Sequence, residues 1–357
     1  MKTNNSNIGF LKKKPFFIAE ISSNHNGSIK QAKKLILTAK KFGADAVKLQ
    51  TYLPETMTIK SRKKDFLMSS GIWKGKTLWD LYTKAHTPYT WHKELFKFAK
   101  KNKITCFSSP FDETAVQLLE KLNCPFYKVA SLELTDLPLI ETIAKTKKPI
   151  IISTGTANLV EISNAYHVAK KYGSKIALLY CVTVYPANKS DFNLNNIKIL
   201  KKKFNCPIGF SDHSIDSSIA GSAIVAGAEI IEKHIALDNQ KNGLDIKFSI
   251  KGKEIKEIRK KIDESYKLLG KDYFYRNKKE LGYKKFRRSI YVVQDIKKGE
   301  KFTSKNIKRI RPGYGLEPKY FNLLLGRRAK SNLKSGNPLK KNILKFYKIK
   351  RDRKSND

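Results

Sequence analysis

Phe16-Phe-Ile-Ala-Glu-Ile-Ser22, the stretch Ile29 to Phe42, and Ala46-Val-Lys-Leu-Gln-Thr-Tyr52 decide the fold: a short apolar run, a longer amphipathic stretch, then a second apolar run. Runs of this length read as buried strands and the stretch between them as a helix, which makes one right-handed βαβ unit. The pattern recurs. Further strands are expected near Thr105 to Phe111, Phe126 to Ser131, Pro149 to Gly155, Lys175 to Val182, Pro207 to His213 and Glu229 to Leu237. Helices are expected between them, among them Tyr89 to Lys103, with Gly252 to Leu269 after the last strand. Eight units over residues 16–270 fit a closed (β/α)8 TIM barrel better than an open doubly wound sheet.

Beyond Gly270 the chain turns strongly polar, and residues 271–287 read as a linker. Residues 288–347 carry two similar segments, Asp295-Ile-Lys-Lys-Gly-Glu and Asn332-Leu-Lys-Ser-Gly-Asn, each with a Gly where the chain must reverse. A small β-rich domain is expected there. A basic segment, 1–15, and a charged tail, 348–357, flank the whole.

Lys and Arg number 73 against 31 Asp and Glu, a formal net charge of +42. Such a balance suits a nucleic-acid partner. The lysines, however, are spread over nearly every helix and loop, without an Arg-rich arm or a nucleic-acid motif. A Lys-biased solvated surface and anionic small substrates are therefore expected, and a nucleic-acid-binding protein on an enzyme scaffold is the remote alternative. Cys106, Cys124, Cys181 and Cys206 occur singly, as buried thiols of a reducing compartment do. No apolar run approaches the ~20 residues of a membrane span, so a soluble cytoplasmic chain is expected, with no membrane partner.

Polar residues gather at the C-terminal ends of the expected strands, where barrel enzymes place their chemistry. Glu20, Asn24 and His25 follow the first strand, Lys48 and Gln50 lie on the second, and Ser108 and Ser109 end the third. Lys128 and Ser131, then Ser153, Tyr185, His213 and His234 continue the series. Lys48 and Lys128 interrupt otherwise apolar runs, and a buried ammonium needs an anion. Hydroxyls of Ser109, Ser131 and Ser153 at the same level suit a small, multiply charged ligand. His213 and His234 end neighbouring strands ~5 Å apart, near enough to touch one ion. Two imidazoles without Cys suit Mn²⁺ or Mg²⁺, with water and substrate oxygens in the other positions.

Phe17-Ile-Ala-Glu-Ile-Ser-Ser-Asn-His-Asn, Ala44-Asp-Ala-Val-Lys-Leu-Gln-Thr-Tyr, Ser109-Pro-Phe-Asp, Tyr127-Lys-Val-Ala-Ser, Gly209-Phe-Ser-Asp-His and Ile231-Glu-Lys-His together resemble the sialic acid synthase family. Arg288-Ser-Ile-Tyr to Arg311-Pro-Gly resembles its C-terminal antifreeze-like (SAF) domain. Leu78-Trp-Asp-Leu-Tyr, Thr87-Pro-Tyr-Thr-Trp-His and Arg311-Pro-Gly-Tyr-Gly-Leu-Glu-Pro are similar to the pseudaminic branch more than to the N-acetylneuraminic or legionaminic branches, which remain the alternatives.

The resemblance implies condensation of phosphoenolpyruvate with the open-chain aldehyde of a 2,4-diacetamido-2,4,6-trideoxyhexose, giving pseudaminic acid and phosphate. It implies that Lys48, Ser109, Lys128, Ser131, Ser153 and Ser211 hold phosphoenolpyruvate, and that His213 and His234 hold the divalent metal. Glu20 would handle a proton or place water, and Gln50, Tyr185, Asp245 and Arg311 would contact the sugar. Arg311 would reach the site of a partner subunit in a domain-swapped homodimer.

Overall fold

A computed structural model describes residues 15–347. The expected basic segment at 1–15, apart from Pro15, and the charged tail at 348–357 lie outside the described residues. The chain divides into two compact units, with the boundary after Gly270.

The first unit is a closed barrel of parallel strands: β1 Phe16–Glu20, β2 Ala46–Thr51, β3 Thr105–Pro110, β4 Tyr127–Val129, β5 Ile150–Ser153, β6 Ile176–Cys181, β7 Ile208–Asp212 and β8 Ile230–Ala236. Each strand pairs with the next in sequence, and β1 pairs with β8 to close the ring. No strand edge of the eight is left open. Burial on both faces explains the unbroken apolar runs, as in β5, where Ile150, Ile151 and Ile152 are all inaccessible.

Helices return the chain between strands, and their starts are written in capping residues. Ser28 accepts from Gln31 N ahead of the helix Ile29–Lys41, and Asp112 accepts from Ala115 N ahead of Glu113–Lys121. Asn158 and Glu161 form a capping box on Leu159–Lys171. One connection is longer than the rest. Between β2 and β3 the chain adds the helices Pro54–Met57 and Leu78–Ala85 before the crossover helix Tyr89–Lys101, and the intervening residues fold back on themselves through a Leu67–Thr77 antiparallel bridge.

In the second unit Ser289–Val292 pairs antiparallel with Ile307–Ile310, and isolated bridges such as Ile296–Leu333 extend this small sheet. The two turn segments act as a pair: Asp295 accepts from Ser335 N at 2.8 Å and Asn332 accepts from Lys298 N at 2.8 Å. Gly299 and Gly336 take φ of 88° and 85°, which L side chains rarely adopt. Ile290, Val292, Phe302 and Leu316 fill its separate core. The expected linker carries short helical turns at Lys278–Gly282 and Tyr283–Phe286.

Gly209 shows how tightly the barrel closes. A Cβ there would stand 2.6 Å from the Ile230 carbonyl oxygen on the neighbouring strand, too close for any real contact. Gly209→Ala is expected to lower the unfolding free energy by about 1–3 kcal/mol, because the Ile230 backbone as well as the Leu179 side chain must yield. Chemical denaturation of the two proteins measures this difference.

Candidate active site

Strand register sets the site. Glu20 at the end of β1 pairs with Lys48 of β2 on one side and with His234 of β8 on the other. Side chains two apart on a strand share a face, so Lys48 and Gln50 project together from β2, and Glu232 and His234 together from β8. All the groups then meet at one end of the barrel.

Four charged side chains form its centre. Lys48 Nζ lies 2.9 Å from Glu20 Oε2 and 3.0 Å from Glu232 Oε1, and Lys128 Nζ lies 3.6 Å from the same Glu232 oxygen. Lys128 also donates to Ser153 Oγ at 2.6 Å, and Ser211 donates to Glu232 Oε1 at 3.1 Å. All four charges are buried. Burial pushes the Lys48 ammonium down to about 8, against the attraction of Glu232. Burial acts on Glu232 in the opposite sense, but the charges of Lys128 and Lys48 outweigh it and hold the carboxyl at about 2. The buried lysines do face anions, and those anions belong to the protein.

Several polar atoms here have no hydrogen-bond partner: Glu20 Oε2, which touches Lys48 off the hydrogen-bonding direction, Ser109 Oγ, Glu133 Oε2, Glu232 Oε2 and His234 Nδ1. A buried polar atom without a partner is costly, so such a concentration marks a place built to receive a polar ligand.

The two histidines stand beside the charges, their ring centroids 5.4 Å apart. His213 Nδ1 is 3.0 Å from the Val182 carbonyl oxygen; donating a proton there leaves Nε2 with a free lone pair. Burial, then charge on His213, Lys48, Lys233 and Lys128, pushes the His234 imidazole well below its ordinary value, whereas at His213 burial is outweighed by the neighbouring Cys181 and the Val182 carbonyl, which raise it. A neutral imidazole with an unpartnered nitrogen fits a divalent ion. Among the described residues no group of three or more His, Cys, Asp or Glu converges on one point, so an ion here would complete its shell with water or substrate oxygens.

Behind the histidines, on the other face of the same strands, Lys233 donates to Asp212 Oδ2 at 2.7 Å, and both are wholly buried. This pair ties the ends of β7 and β8 together one residue from each imidazole.

The other expected residues are placed as follows. Gln50 donates to Ser22 Oγ at 3.0 Å, and Ser131 Oγ accepts from Gly155 N at 3.1 Å. The Tyr185 ring is 4.4 Å from that of His213. Asp245 Oδ2 accepts from Ser23 Oγ at 2.7 Å and lies 4.0 Å from His234 Nδ1, so it faces the histidines. Asn24 is a structural clip, donating to Ile235 O and Ser249 Oγ at 2.8 Å each. Arg311 belongs to the second unit and is exposed there.

Residues 35–273 match the NeuB family and residues 287–345 match the SAF domain. The chain belongs to the NeuB family. It is 41% identical to the pseudaminic acid synthase of Campylobacter jejuni subsp. jejuni serotype O:2 over 92% of this chain and 96% of that protein. It is 42% identical to the pseudaminic acid synthase of Helicobacter pylori, over 91% of this chain and 96% of that one. The crystal structure of an N-acetylneuraminic acid synthetase from Leptospira borgpetersenii superposes with a TM-score of 0.69 at 31% identity, covering 76% of this chain and 90% of that one.

Two acidic residues of this NeuB family member escaped the sequence reading. Glu232 was in view, two places before His234 on a strand, where period two puts it on the same face. Glu133 carried no such signal, because it sits in the short turn Ser131–Glu133 after β4. Burial raises its carboxyl to about 7, against the pull of Lys128.

This last shift has a sign that can be measured. Between the ordinary value of 4.5 and about 7 the folded chain keeps a proton that the unfolded chain has lost. The contribution of Glu133 to stability is thus full below 4.5 and declines as pH rises through about 7. Glu133→Gln is expected to flatten this part of the stability–pH curve by on the order of 1–3 kcal/mol. Denaturant melts of both proteins between the two pH limits read the difference.

Proposed function

We infer that this chain condenses phosphoenolpyruvate with the open-chain form of 2,4-diacetamido-2,4,6-trideoxy-L-altrose, yielding pseudaminic acid and phosphate. The observation that carries this reading is the adjacency of two features: a cluster of buried lysines and hydroxyls, and a pair of neighbouring imidazoles, of which His234 has an unpartnered nitrogen. One suits a phosphate and a carboxylate, the other an aldehyde oxygen. The pseudaminic acid synthases of Campylobacter and Helicobacter support the choice of sugar.

In this reading Lys48 and Lys128 bind the anionic ends of phosphoenolpyruvate, and Ser109, Ser131, Ser153 and Ser211 orient it. Its methylene carbon attacks the aldehyde carbon, the new carbon–carbon bond forms, and the aldehyde oxygen takes up a proton. Water adds to the oxocarbenium carbon that results, with Glu20 placed to accept the proton it releases. Loss of phosphate by carbon–oxygen cleavage leaves the keto acid. Gln50, Tyr185 and Asp245 face the sugar. His213 and His234 would hold a Mn²⁺ or Mg²⁺ ion, which when bound supplies Lewis-acid polarisation of the aldehyde. The same reading takes the enzyme as a cytoplasmic homodimer in which Arg311 of one protomer contacts the sugar of its partner.

The test is phosphate release from phosphoenolpyruvate with this sugar, before and after removal of divalent ions. Turnover that falls on chelation and returns with Mn²⁺ or Mg²⁺ is expected; full turnover in protein shown metal-free by elemental analysis contradicts the role of the histidines. Lys48→Met and Lys128→Met are each expected to raise the KM for phosphoenolpyruvate at least about tenfold. An unchanged KM with a lowered melting temperature would make these lysines structural.

A further inference from the structure

The residues 63–77, part of the long connection after β2, bring an aromatic side chain to the histidine end of the site. Met68 N donates to Lys76 O and Gly75 N to Met68 O, both at 2.9 Å, which closes a compact loop with Trp73 at its turn. The indole N–H donates to Leu244 O at 3.2 Å, so the loop after β2 is tied to the segment after β8.

Trp73 is the outer member of an aromatic wall. The imidazoles touch Tyr185 and Phe248, with centroid distances of 4.4 Å for His213–Tyr185 and 4.9 Å for His234–Phe248. Those two rings in turn touch Trp73, at 5.9 Å from Tyr185 and 6.3 Å from Phe248. The Trp73–Phe248 part of this wall is apolar, whereas Tyr185 carries a hydroxyl. Phe248 has no polar side-chain atom and is 1% exposed, and the single polar atom of Trp73 is already used by Leu244 O.

We propose that Trp73, backed by Phe248, selects a sugar whose far end is a methyl group rather than a hydroxymethyl group. The proposal rests on the reading above, in which the aldehyde end lies at the histidines. Two ring contacts in succession then carry an open six-carbon chain outward to Trp73. A methyl group is content against the indole face. A hydroxymethyl group there gives up water and finds no donor or acceptor on Trp73 or Phe248 in return. Apolar pockets discriminate against an added hydroxyl by at most about 100-fold, so the preference should be marked but finite.

The experiment compares kcat/KM for 2,4-diacetamido-2,4,6-trideoxy-L-altrose with that for its 6-hydroxy counterpart, in the wild type, Trp73→Gln, Trp73→Ser and Trp73→Phe. The wild type is expected to prefer the 6-deoxy sugar by about 10- to 100-fold. Trp73→Gln and Trp73→Ser should each lower that ratio at least about fivefold, while Trp73→Phe retains it and the KM for phosphoenolpyruvate stays within about twofold throughout. Melting temperatures identify any variant that has not folded, and either polar variant suffices. A wild-type ratio near one, or a ratio unmoved by the polar variants, overturns the proposal while leaving the condensation intact. A wild type that turns over neither sugar overturns the function itself, and the proposal with it.

Discussion

Glu232 is held between two lysines inside the barrel, and the arrangement of the site depends on that contact. An ammonium deprived of water stays charged only beside a carboxylate or another anion, and Lys48 and Lys128 share one oxygen of Glu232. Glu20 takes the remaining side of Lys48. Two positive and two negative charges offset one another, which lets a polar cluster persist where the rest of the barrel is apolar. The cost appears in the orphaned atoms. Glu232 Oε2, Ser109 Oγ and His234 Nδ1 retain hydrogen-bonding capacity that a ligand can satisfy.

The barrel's closure places these groups. Because β1 lies between β2 and β8, Glu20 is beside both Lys48 and His234 although they are far apart in sequence. The Asp212–Lys233 pair on the opposite face fixes β7 against β8, and so fixes one imidazole against the other. Packing on the outside of the sheet thus controls geometry on the inside. A NeuB family chain can then vary the loops over this end without disturbing the charged centre, and the long connection that carries Trp73 is one such loop.

Much of this was legible in the sequence, because alternation of apolar runs and amphipathic stretches has few solutions. All eight expected strands are present, each shorter at one or both ends by a residue or two where the chain bends into loops. Lys48 and Lys128 announced themselves by interrupting apolar strands. Glu232 did so less clearly, since Glu-Lys-His puts three polar residues in a row and only the pleat tells which two face inward. Glu133 and Trp73 lie in turns without periodicity, so their positions follow from tertiary contacts alone. Asp245 was legible as a site residue, but its pairing with Ser23 joins segments from opposite ends of the barrel sequence, beyond the reach of any local pattern.

The central claim is that the Lys48–Glu232–Lys128 cluster is the phosphoenolpyruvate site. A crystal structure of the full chain with phosphoenolpyruvate tests it most directly. The account predicts phosphate or carboxylate oxygens within hydrogen-bonding distance of both Lys48 Nζ and Lys128 Nζ, with Ser109 Oγ now partnered. Phosphoenolpyruvate bound elsewhere, with both lysines still paired only to Glu20 and Glu232, would contradict it.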